Sequence, residues 1–145
     1  MTPQKTDILT DDLFLMLQEE NDISKNWEQL SAHMDAPSFH NYLYKLISER
    51  GISIPKLGES ALLSRSFTYQ VFSGKRLPGR DIILRMALAA GFSEDETGRL
   101  LKLADRGALY PKVKRDAIII YALSKKYDLY KTDELLISLG QKALL

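Results

Sequence analysis

A thirty-residue stretch of this chain is partly repeated further on. Set without gaps against 115–144, residues 80–109 match at ten of thirty positions, an offset of 35. The matches include the openings Arg80-Asp81 and Arg115-Asp116, the pairs Ala87-Leu88 and Ala122-Leu123, Thr97 with Thr132, and Leu100-Leu101 with Leu135-Leu136. A period of this length suits two helices and their turn, a unit that cannot bury its apolar face alone. The repeat therefore predicts two helical hairpins, 80–109 and 115–144, stacked into a platform. Local punctuation agrees. Gly91 ends a strongly apolar helix over 80–90, and Ser93 with Glu96 forms a capping box for a helix to about Asp105, stopping at Gly107. Pro111 sits in the first turn of a helix to about Lys126, and Gly140 stops a last helix over 131–139.

Ahead of the repeat, Ile54–Pro78 reads as two short helices joined by a tight turn. Leu57, Gly58 and Ala61 put an apolar edge and a bare spot on one face, and a residue without Cβ lets two crossing helices approach. Ser64 is an N-cap candidate, the second helix runs to about Ser73, and Gly74 follows its end. Lys75, Arg76 and Arg80 come next, interrupted by Pro78 and Gly79. A helix over 39–50 precedes the motif, capped by Ser38 and stopped by Gly51, with Phe39, Tyr42, Leu43, Leu46 and Ile47 on one face.

Leu57, Gly58, Ala61, Val71, the Ser73-Gly74-Lys75 exit and Pro78 resemble the phage repressor/Cro-type (XRE-like) helix-turn-helix family, over about residues 38–91. Leu62 stands where that family usually has the turn glycine, Thr68 where it usually buries an aliphatic residue, and Phe67 and Phe72 are bulkier than usual. The resemblance implies an all-α, lambda-repressor-like core whose second motif helix lies in a DNA major groove, beneath which the 39–50 helix packs. In such a helix Arg65, Tyr69 and Gln70 would read bases: Arg65 on guanine O6 and N7, Gln70 on adenine N6 and N7. Tyr69 would meet a thymine methyl or a phosphate. Ser64, Ser66, Lys75, Arg76 and Arg80 would contact phosphate. Phe67 and Phe72 either fill the space left by Gly58 and Thr68 or leave one ring exposed for a protein partner.

Residues 1–37 form an acidic helical extension. Over 11–20 the apolar positions Leu13–Leu17 run almost all the way round, so this helix is expected to be buried or to dock a partner. Ile23, Trp27, Leu30 and Met34 then make a helical stripe ended by Pro37, with Trp27 as a core or docking anchor. Residues 1–9 read as a frayed tail.

Net charge is +1, yet it divides along the chain. Residues 1–50 hold four Lys/Arg against nine Asp/Glu, residues 51–92 six against two, and residues 93–145 ten against eight. The positive excess falls on the motif, where a phosphate backbone would seek it. A second basic cluster, Lys112, Lys114 and Arg115, would extend a DNA surface, grip an acidic partner, or simply be a solvated first turn. There is no cysteine, no apolar run of membrane-spanning length and no secretory n-region, which together point to a cytoplasmic chain. No phosphate loop, metal motif or HExxH is present, and His33 and His40 lie beside no nucleophile, so no enzyme, metal or cofactor is expected. The expected function is a sequence-specific transcriptional regulator binding double-stranded DNA, as a homodimer if it follows the habit of such modules. The alternative is a non-enzymatic adaptor that keeps the helix-turn-helix fold and binds protein through its aromatics or the C-terminal hairpins.

Overall fold

A computed structural model describes residues 10–32, 34 and 37–145, and every regular element among them is a helix. The tail over 1–9 and His33 lie outside the described residues. Contacts divide the chain after Pro37 into two units. The first holds α1 (Thr10–Glu19) and α2 (Trp27–Ser31). In α1 the residues expected to be buried or docked, Phe14 and Leu15, are 62% and 53% exposed. The stripe expected from Ile23 to Met34 forms helix only over the five residues of α2, because 23–26 turn first; Trp27 is half exposed and Leu30 is buried.

The second unit, Ser38–Leu145, is built from α3 (Phe39–Glu49), α4 (Ile54–Ser60), α5 (Arg65–Phe72), α6 (Arg80–Ala90), α7 (Glu94–Leu103), α8 (Lys114–Ser124) and α9 (Leu129–Ser138). One apolar core runs through all seven, from Phe39, Leu43 and Ile47 through Leu57, Val71, Ile83, Leu84 and Phe92 to Ile119 and Leu136. Ser38, Ser53, Ser64, Ser93 and Asp128 cap α3, α4, α5, α7 and α9 with side-chain oxygens, and the capping box of Ser93 and Glu96 is closed on both sides. One boundary needs correction. Pro111 does not open α8; it lies in a turn closed by Val113 N–H on Tyr110 O (3.0 Å), and the helix begins at Lys114.

The helices pair in sequence order as α4–α5, α6–α7 and α8–α9, and the three hairpins share one turn. In each, a residue with positive φ follows the first helix: Leu62 (59°), Gly91 (73°) and Lys126 (58°). The next N–H, of Leu63, Phe92 or Tyr127, closes back on the carbonyl of Gly58, Ala87 or Ala122 at 2.8–2.9 Å. This is a Schellman ending, with an apolar residue just beyond it. An N-cap follows at once, and four residues later a buried threonine, Thr68, Thr97 or Thr132, donates its hydroxyl to the N-cap carbonyl at 2.7–2.8 Å. The small residue of the first helix and the threonine of the second bring the two backbones together. In α4–α5 the approach is tightest, since a Cβ on Gly58 would lie 2.5 Å from Thr68 Oγ1.

The two C-terminal hairpins do not stack head to tail. Arg80 donates to Asp116 at 2.8 and 3.0 Å, and Arg115 donates to Asp81 at 2.9 and 3.0 Å. Each arginine also reaches two carbonyls at the end of its own hairpin: Arg80 those of Gly107 and Ala108, Arg115 those of Lys142 and Ala143. Every one of these contacts maps onto its counterpart at the offset of 35. When residue i of one copy touches j of the other and j touches i in return, the interface is isologous and the copies are related by a two-fold. The repeat is therefore a closed, pseudo-symmetric pair.

Candidate nucleic-acid interface

Helix α5 owes its placement to the turn before it and the loop after it. Arg85, a cation in the middle of the largely apolar α6, donates to Ala61 O and Leu62 O at 2.7–3.1 Å and so caps the end of α4. Ser64 Oγ accepts from Phe67 N–H, which starts α5, while Thr68 and Val71 bury its inner face. At the far end Gly74 has φ +82°, and a Cβ there would meet the His40 ring at 2.7 Å, so α3 closes over the exit of α5. The N–H groups of Lys75 and Arg76 both bond Gln70 O, fixing the direction in which these two cations leave.

On the outer face Arg65, Ser66 and Tyr69 are exposed, and the Arg65 guanidinium lies 6.0 Å from the centre of the Tyr69 ring. Gln70 is half-buried, its amide turned back to Ser66 Oγ at 3.4 Å. Lys75 and Arg76 are exposed, with Arg76 lying 5.5 Å over the half-buried Phe67 ring. Among the described residues no carboxylate comes within ion-pair distance of Arg65, Lys75 or Arg76. Phe67 and Phe72 both pack against the core.

Arg80 is placed otherwise than a phosphate contact requires. Nε and both terminal nitrogens are bonded inside the protein, and the same holds for Arg115 of the second basic cluster. These bonds hold the Asp81 carboxyl below the usual carboxylate range, chiefly through Arg115. Burial pushes Asp116 upward, but the Arg80 guanidinium and the N–H of Tyr110 outweigh it and lower that carboxyl too. Lys112 and Lys114 remain exposed.

A cleft of about 470 Å³ opens beside the start of α5, walled by Leu62, Phe67, Leu77 and Ile82 with Arg76 and Arg85 at its edges. Sequence reading did not single out Leu77 or Arg85. The one available signal was a charge inside the otherwise apolar run of α6, which asks for an internal partner. Among the described residues no group of histidine and carboxylate side chains is arranged to hold a metal ion, and no helix is long and apolar enough to cross a membrane. No protein-family model matches the chain, and no curated protein or solved structure matches it either.

Proposed function

We propose that this chain is a sequence-specific duplex-DNA-binding transcriptional regulator of repressor/Cro type, with α4 and α5 as its helix-turn-helix and α5 entering the major groove. The observation that carries the reading is an outward α5 face continuous with exposed cations that form no ion pair among the described residues. Arg65, Ser66 and Tyr69 stand on that face, and Lys75 and Arg76 leave its far end. Leu62, standing where the family usually has glycine, takes the left-handed conformation a turn glycine would take, so this departure from the family pattern does not count against the motif. In this reading Arg65 donates to guanine O6 and N7, Tyr69 packs on a thymine methyl or bonds a phosphate, and Gln70 reaches adenine once it releases Ser66. Ser64 and Ser66, then Lys75 and Arg76, hold the backbone. Arg80 and Arg115 drop out, because their guanidinium groups serve the fold. A dimer would match two half-sites about one helical turn apart.

Fluorescence anisotropy of a random-sequence duplex titrated with the protein at low and moderate salt tests the proposal. Affinity is expected to fall linearly on a log–log plot against salt, and Arg76→Ala to lower the slope by about one. On an operator selected from a library, Arg65→Ala should weaken the cognate sequence more than a random one. A folded protein that shows no salt-dependent binding at low salt overturns the reading. That result would favour a protein-binding adaptor, for which the apolar cleft at Leu62, Phe67 and Leu77 is the specific observation.

A further inference from the structure

We infer that the loop leading into α8 is a second phosphate-binding surface on the same duplex, with Lys112 and Lys114 gripping the DNA backbone alongside Lys75 and Arg76. The inference rests on the reading of α5 as a DNA-binding helix. It begins with proximity. Segment 106–116 is tied to 78–80 by Arg106 Nε on Pro78 O (3.1 Å), by Arg80 on Gly107 O and Ala108 O, and by Arg80 on Asp116. Asp116 in turn accepts Tyr110 N–H at 3.0 Å. Arg76 lies two residues before Pro78, Lys112 two after Tyr110 and Lys114 two before Asp116. At about 3.5 Å per residue, each backbone stays within about 7 Å of a bonded anchor. Two basic clusters 36 residues apart, counted from Arg76 to Lys112, thus flank one junction.

The pseudo-two-fold supports the same proximity. Lys75-Arg76 and Tyr110-Pro111 lie just ahead of the two repeated stretches, and each segment leads into one of the two paired helices. The reciprocal Arg–Asp bonds draw together the N-terminal ends of α6 and α8, so whatever precedes those helices is presented on both sides of the same seam.

Electrostatics argues that these lysines are not placed there for the fold. Lys114 is the first residue of α8, whose N-cap Val113 offers no side-chain acceptor. Cations at a helix N-terminus oppose its dipole; α7 carries Glu94, Asp95 and Glu96 in its first turn, whereas the one acidic residue in the first turn of α8, Asp116, is already bonded by Arg80. Among the described residues neither Lys112 nor Lys114 forms an ion pair that would offset this. An external polyanion would.

The test titrates a random-sequence duplex with the full chain over a range of salt concentrations. The variants are Lys112→Gln/Lys114→Gln, Arg76→Ala, and the equal-charge control Lys102→Gln/Lys125→Gln, all on exposed side chains and each checked for folding by circular dichroism. Lys112→Gln/Lys114→Gln should lower the slope of log affinity against log salt by about two, and affinity at moderate salt by about tenfold. The control should leave the slope unchanged. If Arg76→Ala lowers the slope while Lys112→Gln/Lys114→Gln behaves as the unaltered protein, the second surface is rejected and the α5 reading stands. An equal fall in the control rejects it too, since the effect is then general charge. If the unaltered protein shows no salt-steep binding, both proposals fall together.

Discussion

Hairpin α4–α5 and the paired hairpins α6–α7 and α8–α9 are made with the same turn and use their arginines in opposite ways. In the pair, Arg80 and Arg115 each bridge to the other copy and cap the end of their own. In and just after α4–α5, Arg65 and Arg76 lie over aromatic faces, Tyr69 and Phe67, are exposed, and form no ion pair among the described residues. The turn geometry is thus a shared solution to helix packing, and it says nothing by itself about recognition. What separates a structural hairpin from a candidate reading one is whether its cations have partners within the chain.

The largest expected effect comes from breaking the pair. Arg80→Ala leaves the buried Asp116 carboxylate without its guanidinium and should lower stability by about 3 kcal/mol in urea unfolding. Asp81→Ala should cost less, about 1 kcal/mol, because the Asp81 side chain is more exposed and its charge is better screened. The same ion pairs set a pH response. Both carboxyls are lowered in the folded state, so the unfolded chain binds protons more readily and stability rises with pH. Their contribution is complete above about pH 4 and is lost as pH falls below it. Asp81→Asn should flatten part of that acid limb; a urea midpoint that falls just as steeply in this variant would show that the pair is not what titrates.

A smaller effect sharpens the contrast between the turns. Gly58→Ala places a methyl 2.5 Å from Thr68 Oγ1 and should cost about 2 kcal/mol, whereas Ala87 and Ala122 already carry that methyl at the equivalent position. Thr68→Ala combined with Gly58→Ala should recover part of the loss; strict additivity of the two costs would mean that α4 and α5 do not meet there. The smallest effect has the opposite sign. Leu62→Gly relieves a left-handed leucine whose side chain is only half buried and should raise stability by about 0.5–1 kcal/mol, while Gly91→Ala at the matching turn should lower it.

Much of the all-helical architecture was legible because helix ends are marked by local chemistry. Ser38, Ser64 and the Ser93–Glu96 box cap as their residue types suggest, and Gly51, Gly74, Gly91 and Gly140 all take positive φ. The third copy of the turn escaped notice for a physical reason. It sits at an offset of 29, not 35, and its left-handed residue is Leu62, a side chain that carries no turn signal. The roles of Arg80 and Arg115 escaped because the same residues were read twice, once as the opening of a repeat and once as free charge. Their partners lie more than thirty residues away, beyond the reach of any local pattern. The reciprocal spacing of two Arg-Asp pairs was the available clue. At the candidate interface, exposure of Arg65 and Tyr69 follows from helical periodicity, but the cleft beside Phe67 arises from the fold of 76–85 against the turn and has no sequence pattern of its own.

The reciprocal pairing of the C-terminal hairpins also limits what this architecture can become. A head-to-tail array always ends on a vacant surface to which another unit can be added, so such families drift in length. Here both halves of the interface are already occupied, and a duplicated third hairpin would find neither an arginine nor an aspartate waiting for it. The module is finished at two, and a lineage built on it would be expected to vary by changing the outer face of α5 and the lysines beside the seam.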